Sequence, residues 1–279
     1  MLEFALLLLA GAVAGYANVI AGAGSLVALP VLIFAGLGAT EANATNRIAV
    51  LVQSLVALAV FRQRGVASWG PAWRLALPAS CGAVLGAWLA AQLSDAQTQA
   101  CIFIAMFAFL LWSVVATLRP RRPSADTHTR PAATAAMQAT ATASPLATSV
   151  ISPSTSFLPD RRLLAVFVIV GLYGGLLQAG TGIFVLLALS QLGGLSLVHA
   201  NAIKMAFNLA VTVVALAIFA WQGLSFDLPK GLLLAVGTAV GGHLGAHATL
   251  SRGDSFVRRM LLVVIALSAG KLLWQLLTH

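Results

Sequence analysis

Apolar residues run along this chain in blocks separated by short polar or glycine-rich interruptions. In the first half the blocks fall at about residues 2–20, 25–37, 45–61, 72–92 and 98–117, and in the second at about 163–178, 183–194, 203–221, 229–250 and 256–277. A hydrocarbon core of ~30 Å takes about 20 apolar residues per helical crossing. The pattern therefore predicts an all-α polytopic integral membrane protein with about 8–10 transmembrane segments. Residues 119–162, rich in Pro, Ala, Ser and Thr, carry too little bulky apolar content to offset the entropy of ordering. They read as a disordered cytoplasmic linker between a first transmembrane repeat, residues 1–118, and a second, residues 163–279.

The two halves are versions of one another. Laying Ala21, Gly22, Ala23 and Gly24 on Ala179, Gly180, Thr181 and Gly182 sets the register, and Arg47 then falls on Lys204 after the loss of one residue. Further along, Gly82 and Gly86 answer to Gly241 and Gly245, and Asp95 answers to Asp254. Persistence of the match over so long a stretch means duplication. Each copy runs from an apolar segment through a glycine-broken tip and a short apolar segment to a polar Asn/Ala loop that delivers one cation into the next segment.

Basic residues set the orientation. Arg62, Arg64 and Arg74 mark one loop as cytoplasmic, the next loop holds Asp95 alone, and the linker is again basic. In the second half the loop with Asp227 and Lys230 is near neutral, whereas the one with Arg252, Arg258 and Arg259 is basic. Equivalent loops thus change sides, which predicts inverted-topology repeats with both chain ends outside. An odd number of crossings per half follows, met either by five spans or by three spans and a re-entrant pair formed from the first two segments.

Composition narrows the class further. Hydrophobic residues make up 60% of the chain and charged ones 8%, with a mean hydropathy of +0.96, where a soluble globule carries roughly 25% charge. The formal charge of +9 sits mostly in a few loops, so it reads as a topology signal and not as a nucleic-acid footprint. Cys81 and Cys101 fall inside apolar segments and behave as small hydrophobes. The N-terminal run has no basic region before it and Glu3 within it, so it reads as an uncleaved first segment.

Glycine breaks at membrane depth require a reason, because backbone that leaves the helix there must be buried in protein or line a wet cavity. A break beside a new helix start offers free N–H groups and the positive end of a dipole, which together favour an anion. Gly22, Gly24 and Ser25 in one tip and Gly180, Thr181 and Gly182 in the other fit that role, and paired broken helices in inverted-repeat transporters hold substrate. Gly82, Gly86, Gly241 and Gly245 read instead as close helix-packing positions. A cation within a membrane segment costs about 2.5–3.5 kcal/mol on insertion scales, so Arg47 and Lys204 are retained for a substrate, a partner or a headgroup to which they snorkel. Asn46 and Asn201 join them as substrate-binding candidates, with Asn43, Thr45, Asn208, Asn18 and Gln178 nearby; Lys271 reads as an interfacial anchor.

Enzyme chemistry finds little support. His243 and His247 stand at i and i+4, but Val84 and Trp88 replace them in the first repeat, so a packing or pathway role fits better than a metal. The carboxylates Glu3, Glu41, Asp95, Asp126, Asp160, Asp227 and Asp254 all lie near loops or segment ends, so no catalytic dyad, cofactor or metal site is expected. The same distribution weakens a sodium cage or proton relay.

The tip GYANVIAGAGSLVALPVL, the EANATNRIA loop, the FRQRG that ends the third segment and their second-half counterparts resemble the TauE/SafE family of anion permeases. The resemblance covers both hydrophobic halves and leaves out the linker, whose length is a departure. It implies a bacterial inner-membrane, multi-pass permease that exports sulfur-containing anions such as sulfite, sulfoacetate or other organosulfonates. The implied partners are a small anionic substrate, the lipid bilayer and a coupling ion of unknown identity. The alternatives are a permease for another small solute and a non-transport membrane subunit or assembly factor.

Overall fold

The computed structural model describes residues 2–66, 69–104, 107 and 159–278. Most of the linker lies outside them, as do the side chain of Lys271 and the later part of segment 98–117. The described residues form helices and no strands. In chain order these are α1 (Leu2–Ala21), α2 (Ser25–Phe34), α3 (Ala39–Gln63), α4 (Trp69–Gln92), α5 over residues 95–104, α6 (Arg161–Leu176), α7 (Thr181–Gln191), α8 (Leu197–Trp221) and α9 (Leu228–Thr278). The last is interrupted at Gly253, whose φ of 68° and ψ of −167° no helix contains. Among the described residues, 5 helices are long and apolar enough to cross a membrane. Their outward faces and that of α5 carry Phe4, Leu9, Trp73, Ile104 and Trp221, an apolar exterior suited to lipid and too extensive for a soluble monomer.

The two short segments are α2 and α7, with 10 and 11 residues. At 1.5 Å of rise per residue each spans only about 15–17 Å, half of a hydrocarbon core. Both fold back on the helix before them. Gly24 lies against Ala14 and Asn18, and farther along Ala28 and Leu32 enter the apolar cluster of Ala14 and Leu7. In the second half Thr181 packs on Gly174, and Val185 and Leu189 join Phe167 and Leu163. Each half therefore opens with a helical hairpin whose return arm stops part-way, the geometry of a re-entrant pair.

The halves interlock through their glycines. Gly82 and Gly86 of α4 sit against the backbone of Val168 and Leu172 in α6, while Gly171 and Gly175 of α6 sit against Ala79 and Ala83. The same pairing recurs between α1 and α9, where Gly241 and Gly245 face Ala12 and Tyr16 while Gly11 and Gly15 face Leu234 and Thr238. Lipid tails are as apolar as leucine, so helices in a bilayer gain by van der Waals contact, and only small residues let two backbones approach this closely. The first helix of each half is thus clamped to the fourth helix of the other. Between the clamps α3 and α8 cross, with Ala57 and Phe61 beside Ala202 and Ala206 at one end.

The ends of the third helices are fixed from afar. Asp95, at the start of α5, accepts a hydrogen bond of 2.9 Å from the Thr40 amide, and Asp254 accepts from the Leu197 and Val198 amides at 3.0 Å each. A carboxylate at a helix N-terminus satisfies orphan N–H groups and complements the dipole. The matched pair of aspartates is thus a pair of helix caps, one per half.

Candidate functional site

Each hairpin turns at a residue in left-handed conformation, Gly22 at φ 77° and Gly180 at φ 70°, so that only glycine fits without strain. The two turns meet. A Cβ placed on Gly182 would lie 2.5 Å from the Gly22 Cα, so any larger residue would push the tips apart. Gln178, just before the second turn, also has positive φ, 58°, and is the only non-glycine among the described residues that does. Backbone held in this region costs of order 1–3 kcal/mol and persists only where its surroundings impose it, often at functional sites.

The polar Asn/Ala stretches expected as loops are helical. α3 begins at Ala39 and α8 at Leu197, so Arg47 and Lys204 stand two turns inside their helices, ~11–12 Å from the starts. Asn43, Thr45, Asn46 and Asn201 are buried there because they have partners across the fold. Asn43 donates to the Leu176 carbonyl at 2.9 Å, Asn46 to Ser25 Oγ at 3.1 Å, and Asn201 to the Ile20 carbonyl at 3.4 Å. Thr45 Oγ1 accepts from the Asp227 amide.

Both cations are fully buried, 0% exposed, so neither snorkels. Arg47 donates from Nη1 to the Gly174 carbonyl at 2.6 Å and from Nη2 to the Gly175 carbonyl at 2.7 Å, with its guanidinium 5.4 Å from the centre of the Phe219 ring. Lys204 donates from Nζ to the Asn18 and Val19 carbonyls at 2.8 and 2.7 Å. These carbonyls belong to the last turns of α6 and α1, where the helix dipole is negative, and that of Asn18 also accepts from the Gly22 amide at 2.8 Å. Each cation therefore holds the broken end of the opposite half. No carboxylate among the described residues pairs with either one.

The candidates gather unevenly. Gly22, Gly182 and Lys204 form one group, with Lys204 Cδ 3.1 Å from where a Cβ on Gly182 would stand, and Gly24, Ser25 and Asn46 join it from the first tip. Gly180 and Thr181 lie on the second tip, and Thr181 packs on the same Gly174 that receives Arg47. The cations share no hydrogen-bond partner. Lys204 and Phe219, on whose ring Arg47 lies, are separated along α8 by about 15 residues, ~22 Å of rise.

Several buried polar atoms in this region have no protein partner. They are the side-chain oxygens of Asn43, Gln178, Thr181, Asn201 and Asn208, together with Arg47 Nε, Gln53 Nε2 and Ser54 Oγ. Buried polar groups are nearly always satisfied, so each of these atoms marks a place for water or a solute group. Gln53 and Ser54 continue the polar face of α3 beyond Arg47 and were legible as polar residues on a membrane helix, two turns on. A separate cavity of about 490 Å³ between α3, α4 and α8 is lined by Leu51, Leu55, Leu58, Trp73, Leu209 and their neighbours. Its walls are apolar, and no residue of either tip lines it. His243 and His247 lie with ring centres 4.5 Å apart, and no third potential ligand joins them among the described residues.

The chain is similar to known membrane proteins over nearly its whole length. The family described as "Sulfite exporter TauE/SafE" matches residues 7–272. A Sinorhizobium protein named "Probable membrane transporter protein ORF9" is 26% identical over 96% of this chain and 92% of its own length. A "Probable membrane transporter protein" of Haemophilus influenzae is 24% identical over 97% of this chain and 94% of its own. "Probable membrane transporter protein YfcA" of Escherichia coli is 25% identical over 94% and 86%. No solved structure matches the chain.

Proposed function

The chain belongs to the TauE/SafE family of membrane transporters, and from that premise we propose that it is a permease for small sulfur-containing oxyanions, sulfite, sulfoacetate or other organosulfonates, moving them outward across the bacterial inner membrane. The observation that carries this reading is the pair of fully buried cations, Arg47 and Lys204, each held on backbone carbonyls at the helix end before a tip, with no carboxylate among the described residues to neutralise it. Positive charge at membrane depth that meets backbone carbonyls but no carboxylate favours an anion, and a helix start adds N–H donors that several sulfonate oxygens can share.

The substrate lies where the tips meet, on Gly22, Gly24 and Ser25 from one half and Gly180, Thr181 and Gly182 from the other, with Asn46, Asn201 and Lys204 around it and Arg47 toward the far end of α8. Arg47 and Lys204 act there as charges that also brace the helix ends. The reciprocal packing of α1 with α9 and of α4 with α6 supports an inverted repeat, so that two hairpins converge on one cavity from opposite sides. Rocking of one half against the other about the Gly22–Gly182 contact then opens the site alternately to each face.

The test is flux through proteoliposomes holding the purified protein, with sulfite, sulfoacetate, taurine and thiosulfate as cargo. Arg47→Gln and Lys204→Gln should each raise the apparent substrate constant sharply at normal expression, whereas Arg122→Gln in the linker should not. Transport of unaltered affinity in both site variants refutes the anion role of the cations.

A further inference from the structure

The two tips are related by duplication, yet their polar atoms are used differently. Ser25 Oγ of the first tip accepts a hydrogen bond from Asn46. In the second tip Thr181 Oγ1 and Gln178 Oε1 have no protein partner, although Thr181 is 0% and Gln178 5% exposed. Gln178 Nε2 donates to Thr212 Oγ1 at 2.7 Å, which brings its amide against α8. Asn208 stands one turn before Thr212 on the same face, and its Oδ1 is likewise buried without a partner. The corresponding positions of the first half are Ile20, Leu51 and Leu55, all apolar. At these three positions polar side chains occur in the second half alone, whereas Asn43, Asn46, Gln53 and Ser54 of the first half answer to apolar residues of the second.

We propose that the ligand is held at the second tip, between the start of α7 and α8, by Thr181, Gln178 and Asn208, and that it is an oxyanion carrying its own O–H or N–H donor. This rests on the permease reading above and narrows the substrate class. The start of α7 and the Thr181 hydroxyl face the anionic head as donors. The amide oxygens of Gln178 and Asn208 are acceptors, which an oxyanion's oxygens cannot satisfy. A hydroxyl or ammonium group on the solute can. The same logic extends to Asn43 and Asn201, whose amide nitrogens are committed to carbonyls of Leu176 and Ile20, so that their free oxygens are acceptors as well. The left-handed backbone of Gln178 aims its side chain at α8 instead of continuing α6.

A site built to hydrogen-bond a solute donor discriminates strongly against the analogue that lacks it, because its acceptors are then left unpaired. Ethanesulfonate, 2-hydroxyethanesulfonate and 2-aminoethanesulfonate form a series of equal charge at the sulfonate that differs in that donor. In proteoliposomes, the two donor-bearing compounds should compete for transport at least about tenfold better than ethanesulfonate. Asn208→Leu, which installs the first-half residue, should cut this preference severalfold. Equal competition by all three in the unaltered protein overturns the donor requirement and leaves the sulfonate permease standing. A preference that survives both Asn208→Leu and Gln178→Met in folded protein overturns the assignment of these residues. Absence of flux for every sulfur oxyanion overturns the permease reading and this inference together.

Discussion

Gly22 and Gly182 touch backbone to backbone, and through that contact the two broken hairpins form one centre. Neither residue has room for a Cβ, since the nearest obstacle to each is the main chain of the other, which cannot rotate away. Gly22→Ala and Gly182→Ala should therefore abolish transport or assembly. Gly65→Asn is the control, because Gly65 also has positive φ but a Cβ there meets nothing within 4 Å, and asparagine tolerates that conformation. Flux and detergent melting temperature measured side by side check this. A fully active Gly182→Ala protein would show that the tips separate freely.

The aspartate caps make a second prediction. Asp254→Ala removes two acceptors from the first turn of α8, and Asp95→Ala removes one from α3. Loss of a cap costs about 1 kcal/mol, in a range of roughly 0.5–2. Thermal unfolding in detergent should show both variants destabilised, Asp254→Ala the more so, while Asp254→Asn recovers part of the loss. Identical melting curves for all three would exclude a capping role.

The inverted arrangement predicts sidedness. With Cys81 and Cys101 replaced, single cysteines near Arg64 and Arg258 should react with an impermeant reagent only from the cytoplasm, and those near Asp95 and Asp227 only from outside. Labelling near Asp95 and Asp254 from one and the same side would require the halves to run in parallel.

A pH effect is expected at the loop before α9. Asp227 accepts from the Lys230 amide at 2.9 Å and forms an ion pair with its Nζ at 3.1 Å. The backbone hydrogen bond first, and then the lysine side chain and its charge, hold the carboxyl below its ordinary value against partial desolvation. A depressed carboxyl contributes stability that is present above its unfolded-state pKa and disappears as pH falls through the folded one. The melting-temperature gap between the unaltered protein and Asp227→Asn should thus be small but measurable at neutral pH and close as pH falls through the lowered value of the folded carboxyl. A gap independent of pH would remove the ion pair from the account.

How far the sequence reaches is clearest at Arg47. Apolar block lengths define the membrane class, and the duplicated glycine tips single out the two cations, because insertion energy and helix geometry act locally along the chain. The same pattern starts the third segment at about Thr45, with a polar loop before it. Only the tertiary structure extends the helix back to Ala39, since Asn43, Asn46 and Arg47 are tolerated in a buried helix by acceptors on Leu176, Ser25 and Gly174, and Asn43 and Arg47 find theirs more than a hundred residues away. Short lengths likewise leave α2 and α7 open between crossing and re-entrant forms, and it is the packing of Gly24 on Ala14 that turns the chain back. Which tip keeps its hydroxyl free is decided last. Ser25 and Thr181 each follow a tip glycine, and a partner such as Asn46 is found by folding alone.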